Sequence, residues 1–110
     1  MSRKFEAMSD RLEKLQQMLA REPNDTFLLY GIALEYKKAG DMPKAIEHLD
    51  RVIQIDPKYF YAYHQRGLAY EQQGDLESAK KSYRDGIESA AKNGDAHAAE
   101  EIRAALMMIE

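Results

Sequence analysis

The sequence has no cysteine, few prolines and no long run of apolar residues. Without cysteine the protein can form no disulfide and carry out no thiol chemistry, although this absence does not decide its compartment. The longest apolar run, Phe27 to Leu34, has eight residues and includes Gly31, whereas a membrane-spanning helix needs about 20. Residues 1–21 mix charged with apolar side chains, unlike a signal peptide. We therefore expect a soluble, cytoplasmic protein that does not bind membranes.

Neither positive nor negative charge dominates the chain. Sixteen lysines and arginines alternate along the chain with nineteen aspartates and glutamates, for a net charge of -3. No basic stripe is available to neutralise the phosphates of a nucleic acid, so DNA and RNA are not expected partners. Apolar residues make up 45% of the chain and charged residues 32%, which is the balance of a folded protein and not of a disordered one. By its length the chain is expected to form one domain, residues 1–110.

Residues arranged for catalysis or metal binding are missing as well. The three histidines, His48, His64 and His97, belong to no HExxH-like motif. The serines lie in predicted helices without the Gly-x-Ser-x-Gly elbow of a serine hydrolase, and there is no glycine-rich phosphate loop. The sequence therefore predicts no enzyme, no metal site and no cofactor, and the histidines are expected to be solvated surface residues.

What the chain does contain is an internal repeat with a period of 34 residues. Five features recur at this offset without any insertion: Pro23 as Pro57, Ala33 as Gly67, Tyr36 as Tyr70, Gly40-Asp41 as Gly74-Asp75, and Ala45 as Ala79. A repeat of this length is typical of stacked helical units and not of globular enzymes. The repeat therefore predicts a surface that holds another polypeptide, without naming that partner.

Turn residues divide the chain into helices. In each Gly-Asp pair the glycine can take the left-handed conformation that ends one helix, and the aspartate can cap the amides that begin the next. Between the turns the apolar residues recur with helical spacing, and no strand pattern survives. The sequence predicts six helices, at residues 3–21, 25–39, 42–55, 58–73, 76–92 and 95–109.

The repeating residues resemble the tetratricopeptide repeat, a 34-residue helix–turn–helix unit. The first copy contributes Leu29, Ile32, Ala33, Tyr36, Ala45, Leu49 and Pro57, and the second contributes Tyr63, Arg66, Gly67, Tyr70, Ala79 and Tyr83. This resemblance implies an all-α fold, an α-α superhelix in which antiparallel helix pairs stack into a right-handed array. Repeat 1 would span 26–59 and repeat 2 would span 60–93, between an N-terminal flanking helix at 3–21 and a C-terminal capping helix at 95–109.

Small residues, and residues that depart from the family pattern, lead to further predictions. Ala33 and Gly67 are expected to be small because two helix backbones approach each other closely there. Arg66 stands where the family has leucine, so we expect it to be ion-paired or to extend towards water. Gly86 replaces the alanine that the family prefers and is expected to loosen the fifth helix.

The resemblance also implies a function. In tetratricopeptide repeat proteins the first helix of each repeat lines a concave groove that binds segments of partner proteins. The corresponding residues here are Phe27, Tyr30, Leu34, Lys37, Lys38, Tyr61, His64, Leu68, Glu71 and Gln72. We therefore predict a non-enzymatic protein–protein interaction scaffold; alternatively, the sixth helix folds into the groove and covers these residues. Some members grip a chaperone's terminal carboxylate with cations and amides, but the matching positions here carry no cation, so such a receptor is not expected.

A second hypothesis is self-association. Three helix pairs are few for a stacked array, and the aromatic group Tyr59-Phe60-Tyr61 is expected to be exposed. A homo-oligomer could form through this group or through the groove. Light scattering separates the two hypotheses, because only self-association requires a dimer.

Overall fold

The computed structural model describes residues 3–110, with side chains from residue 10 onward. This part of the chain contains no β-strand and forms six α-helices: α1 Arg3–Arg21, α2 Thr26–Lys38, α3 Met42–Ile55, α4 Phe60–Gln72, α5 Leu76–Lys92 and α6 Ala96–Met107. The bounds differ from the predicted ones by at most two residues, so the predicted all-α class is confirmed. None of these six helices is long and apolar enough to cross a membrane.

Glycine and aspartate build three of the turns between successive helices, as the sequence predicts. At three turns a glycine with positive φ ends one helix and the aspartate after it caps the next: Gly40-Asp41, Gly74-Asp75 and Gly94-Asp95. In the last of these the Asp95 carboxylate accepts a 2.9 Å hydrogen bond from the amide of Ala98. Such a cap contributes about 1 kcal/mol, so these turn residues help to fix where α3, α5 and α6 begin.

The helices pack in chain order, each against its neighbours, and α4 also touches α6. One group of fully buried side chains joins α2, α3 and α4 and consists of Leu29, Ala33, Leu49, Val52 and Ala62. A second buried group joins α5 to α6 and consists of Ala79, Tyr83, Ile102 and Leu106. Each large apolar side chain in these groups stabilises the fold by about 1.5–3 kcal/mol. The described part of the chain measures 41 × 30 × 18 Å, an elongated shape that suits a stack of helix pairs.

The last helix continues the stack and does not fold back over the first repeat. Its buried face consists of Ala98, Ala99, Ile102 and Leu106 and packs mainly against α5. Phe27 of α2 and Tyr61 of α4 remain 74% and 56% exposed. The helix α6 therefore leaves Phe27 and Tyr61 uncovered, although it contacts α4 and its Glu101 lies near His64 of the predicted groove.

Glycine is needed at positions 67 and 86 because side chains of neighbouring helices lie close to both. A side chain at Gly67 would meet the ring of Tyr83 and not the backbone of another helix. A Cβ at Gly86 would stand 2.7 Å from the Cβ of Tyr63, closer than real Cβ atoms come to their neighbours. Gly86 therefore allows α4 and α5 to approach closely, a packing role that the sequence did not predict.

The first helix is tied to the stack through a buried carboxylate. Glu35 of α2 is buried, and its Oε2 accepts a 2.8 Å hydrogen bond from Nε of Arg11 in α1. Lys38 Nζ lies 3.5 Å from the same oxygen, and Gln16 of α1 donates to the phenol oxygen of Tyr36 at 3.1 Å. Because a buried carboxylate without a partner would cost several kcal/mol, these contacts fix α1 on α2.

Candidate functional site

The ten predicted groove residues form two matched rows. The α2 row is Phe27, Tyr30, Leu34, Lys37 and Lys38, and the α4 row is Tyr61, His64, Leu68, Glu71 and Gln72. All ten side chains are exposed or half-buried, whereas Leu29, Ile32 and Ala33, between them on α2, are fully buried. The helix α2 thus turns one side to the core and the other to solvent, as a helix that lines a groove must.

Aromatic side chains meet where α2 and α4 begin, and we call Phe27, Tyr30, Tyr59 and Tyr61 the aromatic end. The rings of Tyr30 and Tyr59 are tilted against each other, with centroids 5.1 Å apart. Burial raises the pKa of the Tyr30 phenol, and the nearby phenols of Tyr59 and Tyr61 raise it further. Phe27 lies one helical turn before Tyr30, on the same side of α2. The aromatic end is therefore a partly dehydrated surface with two freely exposed rings.

The group Tyr59-Phe60-Tyr61 is not the exposed surface that the self-association hypothesis expects. Tyr59 is half-buried against Tyr30, and Phe60 is half-buried against Ala90. Only Tyr61 of the three is exposed. Consecutive helical residues point about 100° apart, so three neighbours cannot share one face.

Hydrogen bonds connect the two rows in the middle. Lys37 Nζ donates to Oε1 of Gln65 at 2.7 Å, from α2 to α4. Burial lowers the pKa of Lys37, and the negative charge of Glu71 partly offsets this change. The hydroxyl of Tyr83 in α5 donates a hydrogen bond to Oε2 of Glu71. The long polar side chains between the rows are therefore already held in place by the protein itself.

The sequence predicts that His64 is solvated, but its side chain is half-buried. Its ring meets the ring of Tyr83 edge-on, with centroids 6.0 Å apart. Burial lowers the pKa of His64; Glu101 raises it in part, Lys37 lowers it further, and Glu71 raises it. A lowered pKa keeps the imidazole neutral near pH 7. The middle of the α4 row therefore presents an uncharged aromatic ring.

A cleft of about 400 Å³ opens near the C-terminal ends of α2 and α4. Its lining consists of Leu34, Lys37, Lys38, Gln65 and Gln72. Four of these are predicted groove residues, and Gln65 is the one that the sequence reasoning left out of the groove. Gln65 lies beside the α4 row, and its long side chain reaches Lys37 across the gap between the helices. In the sequence Gln65 also stands at one of the positions that match the carboxylate clamp of some family members.

Arg66 has the acidic partner that the sequence predicts. Its Nη1 donates to Asp50 of α3 at 2.8 Å, and its Nε donates to Ser82 of α5 at 3.0 Å. Its Nη2 lies 3.8 Å from Asp85. Arg66 also lines a second cavity, of about 690 Å³, whose lining includes none of the predicted groove residues. The arginine thus ties three consecutive helices together at a place apart from the two rows.

The polar side chains described above mainly contact one another. Among the side chains of residues 10–110, no group of three histidines, aspartates or glutamates is placed to hold a metal ion. His97 Nε2 and Glu101 Oε1 are 3.3 Å apart, but this exposed pair has no third ligand beside it. Lys37 and Glu71 are each engaged by neighbouring side chains.

Comparison with known protein families gives two overlapping matches. A family model described as "TPR repeat" matches residues 33–74, and one described as "Tetratricopeptide repeat" matches residues 60–93. A TPR repeat-containing protein of Pseudomonas aeruginosa is 34% identical over 99 residues, which is 90% of this chain and 94% of that protein. The similarity therefore extends beyond the two repeats into the flanking helices.

Solved structures share the arrangement of helices. The crystal structure of MamA has a TM-score of 0.76 and 29% identity over 81% of this chain, and this chain spans about half of MamA, 49%. PcrH in complex with the chaperone binding region of PopD has a TM-score of 0.83 over 96% of this chain and 80% of that chain. At 16% identity the likeness to PcrH concerns the fold alone. These likenesses confirm the predicted α-α superhelix.

Proposed function

The chain belongs to the tetratricopeptide repeat family, and we propose that it docks a segment of another protein in the groove between the α2 and α4 rows. Proteins of this family are generally non-enzymatic interaction modules. One observation carries the proposal: apolar side chains stand in a row outside a core that is already closed. Phe27 and Tyr61 are largely exposed, and Leu34 and Leu68 are half-buried about two helical turns further along the same helices. Apolar groups that face water in a contiguous row mark partner sites.

The fold supports this proposal. PcrH shares the arrangement of helices and is described in complex with the chaperone binding region of PopD. A stack of this kind is thus able to hold a segment of another protein. In this chain the docked segment lies along the helix-lined groove, and its anchoring side chains are spaced to match the helical turns.

The docking surface is preformed, which lowers the entropic cost of binding. Gln65 holds Lys37, and Tyr83 holds Glu71, so few side chains need to be ordered when the segment arrives. The segment covers the exposed faces of Phe27 and Tyr61, and each Å² of apolar surface removed from water is worth about 25 cal/mol. The cleft beside Leu34 receives one further side chain of the segment.

A pair of double variants tests the proposal. Phe27→Ala/Tyr61→Ala removes the two most exposed aromatic groove side chains, and Leu76→Ala/Met108→Ala removes two exposed apolar side chains outside the groove. Wild type and both variants are immobilised and used to capture proteins from a source-cell lysate, and the captured proteins are identified by mass spectrometry. We expect the groove variant alone to lose partners, with a melting temperature close to that of wild type.

Equal capture by all three proteins would contradict docking in the groove. Sedimentation velocity of the same three proteins tests the self-association hypothesis. A dimer that dissociates only in the Phe27→Ala/Tyr61→Ala variant would assign the groove to a second copy of this chain. A monomer at every concentration leaves the groove free for another protein.

A further inference from the structure

The two ends of the groove differ in whether their charges are already paired. At the C-terminal end of α2, Lys37 donates to Gln65 at 2.7 Å and faces the charge of Glu71. Lys38 lies 3.5 Å from the carboxylate of Glu35. An acidic partner segment would have to compete with these contacts. Lys37 in particular is therefore a poor site for an incoming carboxylate.

The carboxylates at the aromatic end, unlike these lysines, are not paired with an opposite charge from residues 10–110. Asp25 and Asp56 each accept one backbone hydrogen bond at 3.1 Å, from Leu28 and Lys58 respectively. Neither takes part in any ion pair within the described residues. The pKa of Tyr59 is raised by burial first and then by the negative charges of Asp56 and Asp25, because both carboxylates lie near this ring. Two unpaired negative charges thus flank the aromatic end.

Two rings of the aromatic end, those of Phe27 and Tyr61, are largely exposed. Where the chain places a cation over a ring, it does so elsewhere: Lys44 Nζ lies 5.6 Å from the centroid of Tyr36, and Arg66 Cζ lies 5.8 Å from that of Tyr63. No such contact is found at the aromatic end among the side chains that the structure describes. A cation over a tyrosine or phenylalanine ring is attracted by the ring's electrons, and more strongly where water is partly removed, as at the half-buried rings of Tyr30 and Tyr59.

We propose that the aromatic end receives a basic side chain, arginine by preference, of the partner segment that docks in the groove. The inference rests on the proposed function and adds the charge of the partner at one position. Arginine suits this place because its planar guanidinium stacks on aromatic rings while its N–H groups pair with carboxylates. The net charge of -3 draws basic segments to the protein over a longer range.

Three short peptides with blocked ends test the inference. Acetyl-leucyl-arginyl-leucine amide is the probe, the citrulline peptide is its uncharged isostere, and the glutamyl peptide carries the opposite charge. Each peptide is titrated into the protein while the ring signals of Tyr30, Tyr59 and Tyr61 are followed by NMR. We expect the arginyl peptide to shift these signals at a concentration about two- to fivefold lower than the citrulline peptide, and added salt to reduce the difference.

A matched pair of variants separates charge from structure. Asp25→Asn/Asp56→Asn removes both carboxylates, and the asparagine side-chain oxygens can still accept the backbone hydrogen bonds from Leu28 and Lys58. Asp41→Asn/Asp75→Asn removes the same charge from two caps outside the aromatic end. We expect only the first variant to lose the preference for the arginyl peptide, while both keep the helical content of wild type.

Several outcomes would overturn the inference. These are equal binding of the arginyl and citrulline peptides, no binding of any peptide, or preferred binding of the glutamyl peptide beside Lys37 and Lys38. Ring signals that shift with protein concentration alone would assign the aromatic end to a second copy. If charge preference is absent while Phe27→Ala/Tyr61→Ala still loses its captured partner, docking stands and only the inference about the basic side chain fails.

Discussion

The ring of Tyr83 lies directly against Gly67, so that a Cβ at this glycine would overlap Cε1 of the ring and stand 2.6 Å from Cδ1. Tyr83 is fully buried, and its hydroxyl is held by Glu71. The ring therefore has little room to move away. Glycine at position 67 lets a large core side chain of α5 lie against the backbone of α4, and this contact sets the separation of the two helices.

We expect Gly67→Ala to lower the free energy of unfolding by about 1–3 kcal/mol, because the added methyl group overpacks the contact with Tyr83. Without a neighbour, the same change inside a helix would stabilise the protein by about 1 kcal/mol. Gly31→Ala is the control, since a Cβ there meets Leu15 Cδ1 at an ordinary 3.7 Å and keeps that gain. Urea unfolding followed by circular dichroism measures both. A Gly67→Ala protein at least as stable as wild type would contradict the contact.

The ionic contact of Arg66 is expected to stabilise the fold more than shorter ionic contacts on the surface do. Asp50→Asn leaves a guanidinium that is 15% exposed with a weaker acceptor, and should cost about 1–2 kcal/mol. Glu100→Gln breaks the 2.6 Å contact with Arg103, but that pair is exposed, so the expected cost is below about 0.5 kcal/mol. Urea unfolding at low and high salt compares the two variants. Equal losses of unfolding free energy in the two variants would show that burial does not decide the strength of these ion pairs.

Alkaline pH is expected to destabilise the fold through its buried tyrosines. Burial raises the pKa of Tyr83, and the hydrogen bond to Glu71 and the charge of Glu71 raise it further. Unfolded tyrosine loses its proton near pH 10, whereas folded Tyr83 keeps it, so its contribution is complete below about pH 10 and declines as the pH rises above that value. The loss is about 1.4 kcal/mol per pH unit for each such group. Burial also raises the pKa of Tyr30 and of Tyr59.

Unfolding free energies measured from neutral to strongly alkaline pH test this expectation. Tyr83→Phe removes one titrating group, so its stability should fall less steeply with pH than that of wild type. The variant also loses the hydrogen bond to Glu71, which lowers its stability at neutral pH without changing the slope. Parallel pH profiles for the two proteins would show that Tyr83 titrates as it does in the unfolded chain.

The helices could be predicted from the sequence because their signals are local. Asp41 and Asp75 lie next to the amides they cap, and Gly40 and Gly74 take positive φ at the turn itself. The 34-residue period then gives the stacking order, since each copy of the repeat needs its neighbour to bury its apolar face. The partner of Arg66 could be anticipated as well, because a largely buried guanidinium requires an acceptor.

The details of the candidate site depend on side chains from different helices and escaped the sequence reasoning. Tyr59 was expected to be exposed but packs on Tyr30, a residue 29 positions earlier in the chain. Gln65 was left out of the groove, although it meets Lys37 across two helices. In both cases the outcome depends on which rotamer fills a space that forms only after the helices pack. The period of the repeat defines which side of a helix faces the groove, and not how far a neighbouring side chain reaches.

Tyr61 and Tyr63 stand two residues apart on α4 in opposite environments, which tests the assignment of the groove side directly. Tyr63 is 6% exposed, and its hydroxyl donates to the carbonyl of Pro57 at 2.9 Å. Tyr63→Ala should therefore cost about 3–5 kcal/mol, because it opens a cavity in the core. Tyr61→Ala removes an exposed ring and should change stability by less than about 0.5 kcal/mol. Tyr63→Phe separates the hydrogen bond from the packing and should cost about 1 kcal/mol. Thermal melting of the three variants gives the order, and a larger loss for Tyr61→Ala would mean that the core and groove sides of α4 are reversed.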